Sequence, residues 1–197
     1  MLVGAARRRM DAKRCNDKLR AQMLEAYGLR CVCCRLSIGG LLTLDHVIET
    51  GARLKNERGL SLYAKLRKLG WPQDNLRLLC WNCNCGRQSN GGQCPHFGLK
   101  ELNAEQLTYR YLREQAFDVY GDGCCACCGE RNIGFLTIDH VENVGGGRRR
   151  VGGIQLYRSF RQRGWPMRDE LRVLCWNCNC GRQHNGGVCP HEIVGCQ

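Results

Sequence analysis

The stretch Leu79-Cys80-Trp81-Asn82-Cys83-Asn84-Cys85-Gly86-Arg87-Gln88 is written twice, and Leu174 to Gln183 repeats it letter for letter. After one further residue each copy continues Asn-Gly-Gly and then reaches Cys-Pro-His, at Cys94 to His96 and at Cys189 to His191. A ten-residue identity holding three cysteines marks an internal repeat, so the chain is two copies of one cysteine-rich module. The boundaries expected are a basic arm over 1–14, a first module over 15–98, and a linker helix with the second module over 99–197. Modules of this size bury little core and commonly need metal or disulfides.

The 17 cysteines choose between those two. Their odd number and recurrent Cys-x-x-Cys spacing favour reduced thiolates on zinc over a disulfide framework. The implied compartment is reducing and intracellular, and no apolar run approaches the ~20 residues of a membrane span. Asp45-His46 aligns with Asp139-His140, which pairs Cys31 with Cys125 and Cys34 with Cys128. With Cys80 and Cys83, and with Cys175 and Cys178, each module has four soft ligands, the number a tetrahedral structural zinc takes. At least two zinc ions per chain follow. Left over are Cys33, Cys85, Cys94 and His96 in one copy and Cys127, Cys180, Cys189 and His191 in the other, each a candidate second zinc set. Packing cysteines are the alternative.

A net charge of +12 suits a polyanionic partner. It is lopsided: residues 1–100 hold 18 basic and 7 acidic residues, residues 101–197 hold 12 and 11. The electrostatic foothold is therefore placed in the N-terminal half, on Arg7, Arg8, Arg9, Lys13 and Arg14 of a mobile arm. Gly145-Gly146-Gly147-Arg148-Arg149-Arg150 adds a flexible basic loop whose Arg148, Arg149 and Arg150 are candidate phosphate contacts.

The local patterning is helical, then β, then helical in each copy. Asn16 is read as an N-cap, with Leu19, Met23, Leu24 and Tyr27 forming an apolar stripe up to Gly28. In the second copy Asn103 caps, Leu107, Tyr111, Leu112 and Phe117 line a face, and Tyr120-Gly121 ends the helix. Leu41 to Val47 and Phe135 to Val141 read as strands ending on Asp-His. Short helices over 60–69 and 154–163 then stop at Gly-Trp-Pro, whose Trp71 and Trp165 are expected to pack on the metal-bound core.

Cys-x-x-Cys, a strand ending Asp-His, then Asn-Leu-x-x-Leu-Cys-x-x-Cys-Asn resembles the HNH nucleases of the ββα-metal class, built on a treble-clef zinc site. The Cys-Pro-His ending is similar to small HNH-type proteins of bacteriophages. The resemblance covers 31–96 and 125–191. It implies an α+β chain of two tandem zinc-stabilised modules, each preceded by a helix, acting as a DNA endonuclease or nickase on double-stranded DNA in a bacterial or phage-infected cytoplasm. It implies that His46 and His140 are general bases, that Asp45, Asn84, Asp139 and Asn179 hold a catalytic Mg²⁺ or similar ion, and that Asn75 braces the loop of the base. Histidine titrates near neutrality, and hard oxygen ligands suit such an ion. Where the first copy has Asn75 the second has Glu170, which adds negative charge where DNA would approach and is expected to impair that module. The rival reading is a non-catalytic nucleic-acid-binding zinc protein derived from such modules.

Overall fold

A computed structural model describes residues 2–47, 59–142 and 153–195. Two compact units divide between Leu79 and Cys80, whereas the repeat boundary near residue 98 lies inside the second unit. The chain is α+β, with two small two-stranded sheets.

The first unit opens with α1 (Leu2–Ala26), then a 3-10 turn at Gly39–Leu41, β1 (Leu42–His46), α2 (Gly59–Lys68) and β2 (Leu76–Cys80), whose last residue opens the second unit. The arm expected over 1–14 is thus helical, and Asn16 lies inside α1 rather than at its start. No proline interrupts 2–15, and its Ala, Arg, Lys, Leu and Met are good helix formers, so a helix nucleated by the packed end propagates to Leu2. That packed end is Leu19, Met23 and Tyr27, all buried, while residues 6–18 are exposed throughout. Gly28 at φ +98° ends the helix as expected. Tyr27 donates its hydroxyl to the Pro72 carbonyl at 2.8 Å, and Trp71 meets the Tyr27 ring edge-on at 6.3 Å. Trp71 therefore clamps the end of the leading helix. Arg20 donates to the Gly39 and Leu42 carbonyls at 2.9 and 2.7 Å, tying α1 to the start of β1.

The second unit contains α3 (Trp81–Ser89), a 3-10 turn at Pro95–Phe97, α4 (Ala104–Gly121), β3 (Leu136–His140), α5 (Ile154–Gln162), β4 (Leu171–Cys175), α6 (Trp176–His184) and α7 (Pro190–Val194). β3 and β4 are antiparallel, with Leu136 opposite Cys175 and Asp139 opposite Arg172. Asn103 caps α4 as expected, in a full capping box with Gln106. The face buried by α4 differs from the expected one: Leu112, Ala116, Phe117 and Tyr120 are buried, while Leu107 and Tyr111 are exposed. The i, i+4, i+5, i+8 set is the one that meets β3, β4 and α5. Arg113 and Tyr120 repeat the roles of Arg20 and Tyr27, binding the Ile133 and Leu136 carbonyls and the Pro166 carbonyl. Trp165 meets Tyr120 at 6.3 Å.

Candidate metal centre

The turn carrying Cys125 and Cys128 is closed by backbone bonds, Cys125 donating to the Glu130 carbonyl and Gly129 to the Cys125 carbonyl at 2.8 and 2.9 Å. Gly129 takes φ +73°, which lets the chain reverse after the second thiol. Ala126 donates to the Val173 carbonyl at 2.9 Å and so pins the turn to β4. The partner pair comes from the end of that strand: Cys175 is the N-cap of α6 and Cys178 lies in its first turn. Strand and turn thus aim four sulfurs at one point. All four lie within 4.8 Å of one another, and Cys128 Sγ is 3.7 Å from Cys175 Sγ. Two thiolates each about 2.3 Å from a tetrahedral zinc stand about 3.8 Å apart, so the donor set and spacing fit that ion.

Crowding sets the ionisation of these thiols. Hydrogen bonds from Cys128, Cys175 and Cys178 hold Cys125 far below the ordinary thiol range, while bonding to Cys125 pushes Cys175 and Cys178 up. A dication held by these four sulfurs would relieve this competition by making every thiolate favourable, aided at Cys175 and Cys178 by the N-terminus of α6.

The first copy builds the same parts. In the first unit Cys31 donates to the Leu36 carbonyl, Arg35 to the Cys31 carbonyl, and Val32 to the Leu78 carbonyl of β2. Arg35, at φ +66°, stands where the second copy has Gly129. In the second unit Cys80 caps α3 and accepts from the Cys83 amide at 3.4 Å.

The leftover ligands assemble differently from their order in the sequence. Cys127, Cys189 and His191 gather with Cys178, not with Cys180, and their ligand atoms lie within 4.8 Å. His191 Nδ1 is 3.3 Å from Cys178 Sγ and 3.6 Å from Cys189 Sγ. In the first copy His96 Nδ1 is 3.4 Å from Cys83 Sγ and 3.3 Å from Cys94 Sγ. Cys85 and Cys180 instead share a hydrogen bond with each other, which lowers the Cys85 thiol and raises that of Cys180. The cause is helical phase: residues two apart on a helix point to nearly opposite sides, so when Cys178 faces the turn, Cys180 faces α3.

Asp139 and His140 close β3, His140 exposed and Asp139 half-buried. Asp139 Oδ2 accepts from Arg182 Nη1 at 2.7 Å and from Arg172 Nε at 3.2 Å. Burial raises the Asp139 carboxyl more than Arg182 lowers it. Arg182 lies one turn beyond Asn179, so Asp139 sits against the face of α6 that carries Asn179. Asn179 is buried, and its Oδ1 accepts from Gln183 Nε2 at 2.6 Å; Asn84 and Gln88 do the same at 3.0 Å. In the first unit Asp45 is buried at the end of β1 and paired with Arg77 of β2 at 2.9 Å. Val47 donates to the Asn75 carbonyl and Val141 to the Glu170 carbonyl, so these two positions hold equivalent places behind the Asp-His pair. Asn75 adopts φ +60°, a conformation asparagine tolerates better than most residues.

Reading the sequence does not single out the arginines on the aspartates or the glutamines on the asparagines. A signal for them exists, since Leu-Arg-x leads directly into both repeats and Arg87, Gln88, Arg182 and Gln183 lie inside the repeated ten residues. Arg7, Arg8, Arg9, Lys13 and Arg14 are exposed along α1. Arg148, Arg149 and Arg150 lie outside the described residues. No helix among the described residues is long and apolar enough to cross a membrane. Comparison with protein-family models, with curated proteins and with solved structures finds no match for this chain.

Proposed function

We propose that the chain is a tandem HNH-type nuclease, each module stabilised by one zinc on a treble-clef scaffold. The second copy would hold zinc on Cys125, Cys128, Cys175 and Cys178, and the first on Cys31, Cys34, Cys80 and Cys83. The observation that carries the reading is the position of Asp139 and His140. They end a strand whose partner strand runs straight into the zinc pair, against the helix face bearing Asn179. Asp139 and Asn179, with Asp45 and Asn84 in the first copy, would hold a hard divalent ion such as Mg²⁺, which supplies charge stabilisation at the scissile phosphate. His140 and His46 take the proton of the attacking water. Gln183 and Gln88 orient the asparagines. The arginines beside the aspartates offer guanidinium donors of the kind that grips phosphate.

A second reading, a nucleic-acid-binding protein without cleavage, is favoured by one observation. Asp139 Oδ2 accepts from two guanidinium groups at once, which compete with a metal ion for that oxygen. The separating experiment is cleavage of supercoiled plasmid by zinc-loaded protein, with Mg²⁺ supplied or omitted. Nicked or linear product that requires Mg²⁺ supports the nuclease. Retarded but intact plasmid with Mg²⁺, Mn²⁺ or Ni²⁺ replaces it with the binder.

A further inference from the structure

We propose that each repeat holds a binuclear zinc cluster in which one thiolate, Cys178 in the second copy and Cys83 in the first, bridges two ions. The inference rests on the structural zinc of the proposed function and extends it. Cys178 belongs to two ligand groups at once, Cys125, Cys128, Cys175 and Cys178, and Cys127, Cys178, Cys189 and His191. Within each group every ligand atom is within 4.8 Å of the others. Two tetrahedral sites that share one corner need seven ligands, and these groups supply seven with no residue left over. A thiolate sulfur bound to one zinc keeps lone pairs that can bind a second.

The fold explains why Cys178 is the shared corner. It lies in the first turn of α6, with the Cys125–Cys128 turn on one side. On the other side α7 packs back on α6 and brings the Cys189-Pro190-His191 segment. Pro190 holds Cys189 extended at the start of α7, so Cys189 and His191 reach the same point from one short segment. Cys127 comes from the middle of the first turn and hydrogen-bonds both Cys189 and Cys178. Six thiolates and a neutral imidazole around two dications carry the same net charge as a single four-cysteine zinc site, so the second ion adds no charge burden. The arrangement recurs: Cys83 and Cys94 flank His96 Nδ1 as Cys178 and Cys189 flank His191 Nδ1, and Cys33 is the sequence counterpart of Cys127.

The test is metal content of the full chain purified under reducing conditions, with ¹¹³Cd substitution. Four zinc ions per chain are expected. Cys127→Ser and His191→Ala should each lose one ion, and Cys178→Ser should lose two. The ¹¹³Cd spectrum should show mutually split resonances, because two cadmium nuclei on one sulfur couple through it, and His191→Ala should collapse the splitting. Should Cys178→Ser fail to fold, the His191→Ala spectrum decides alone. Two zinc ions per chain, unaffected by Cys127→Ser or His191→Ala, overturn the cluster while leaving the single structural zinc of each module in place. Four ions with no splitting and a loss of only one on Cys178→Ser would make the sites separate. Absence of zinc from folded, reduced protein sinks both readings together.

Discussion

Asn82 and Asn177, the same residue of the two repeats, exchange a pair of buried hydrogen bonds within the second unit. Asn177 donates its backbone amide to Asn82 Oδ1 at 2.7 Å, and Asn82 donates its own to Asn177 Oδ1 at 2.9 Å. Both amides lie in the first turn of a helix, α3 or α6, where no carbonyl of the same helix is available. Each copy thus completes the helix start of the other, and Trp81 stacks on His184 at 5.2 Å beside them.

Asn177→Leu should therefore destabilise the zinc-loaded protein by about 1–3 kcal/mol, because it strands the buried Asn82 amide as well as removing a bond. Urea unfolding followed by circular dichroism measures it. A change within error of zero would show that water or another acceptor serves these amides.

Gly121 ends α4 hard against β4. A Cβ placed there would lie 2.7 Å from Val173 Cβ and 2.8 Å from Val173 Cγ2, and Val173 is wholly buried. Gly121→Ala should cost about 1–3 kcal/mol as overpacking. Adding Val173→Gly should recover part of the loss, since both contacted atoms belong to that side chain and alanine would keep the nearer one. If the double variant is no better than the sum of the two single changes, the clash is not the cause.

Zinc removal should unfold the modules rather than loosen them. Sites of this kind couple about 10–16 kcal/mol of apparent binding free energy to folding, as much as the whole stability of an ordinary domain, about 5–15 kcal/mol. Excess chelator should abolish the cooperative thermal transition, and zinc add-back under reducing conditions should restore it. A chelated chain that still melts cooperatively at the original temperature would place the stability in the apolar core alone.

His46→Ala and His140→Ala probe the chemistry without removing a structural ligand. Loss of a general base should lower the cleavage rate about 10²–10⁴-fold in the affected copy, with zinc content and DNA affinity unchanged. Two working copies predict that each single variant nicks and only the double variant is silent. An impaired second copy predicts that His46→Ala alone is nearly silent. Cleavage by the double variant at the original rate would assign any activity to something other than these histidines.

Arg7, Arg14 and Lys18 recur at spacings of seven and four on exposed α1, which puts them on one helical face. If that face tracks phosphates, replacing all three by alanine should flatten the salt dependence of DNA binding by about 0.9 in log–log slope for each phosphate no longer neutralised. Fluorescence anisotropy across a salt series measures this. An unaltered slope would make the helix a bystander.

What is legible in the sequence is what neighbouring residues decide among themselves. The repeat, the two Cys-x-x-Cys pairs of the second copy, the strands ending on Asp-His and the helix cap at Asn103 all rest on spacings of a few residues, and the structure contains each of them. Three features depend on which faces meet. Cys180 falls in with Cys189 and His191 by elimination, yet helical phase turns it towards Cys85 and gives its place to Cys178. Asp139 reads only as an ion ligand in the sequence, and its two arginine partners appear once antiparallel register sets Arg172 opposite it and α6 brings Arg182 alongside. Leu107 and Tyr111 fit an apolar stripe as well as Ala116 and Tyr120 do, and only the sheet packed on α4 selects between them. Spacing determines which side chains can share a face; the tertiary structure decides what that face is pressed against, because burial is won against a partner that local sequence does not contain.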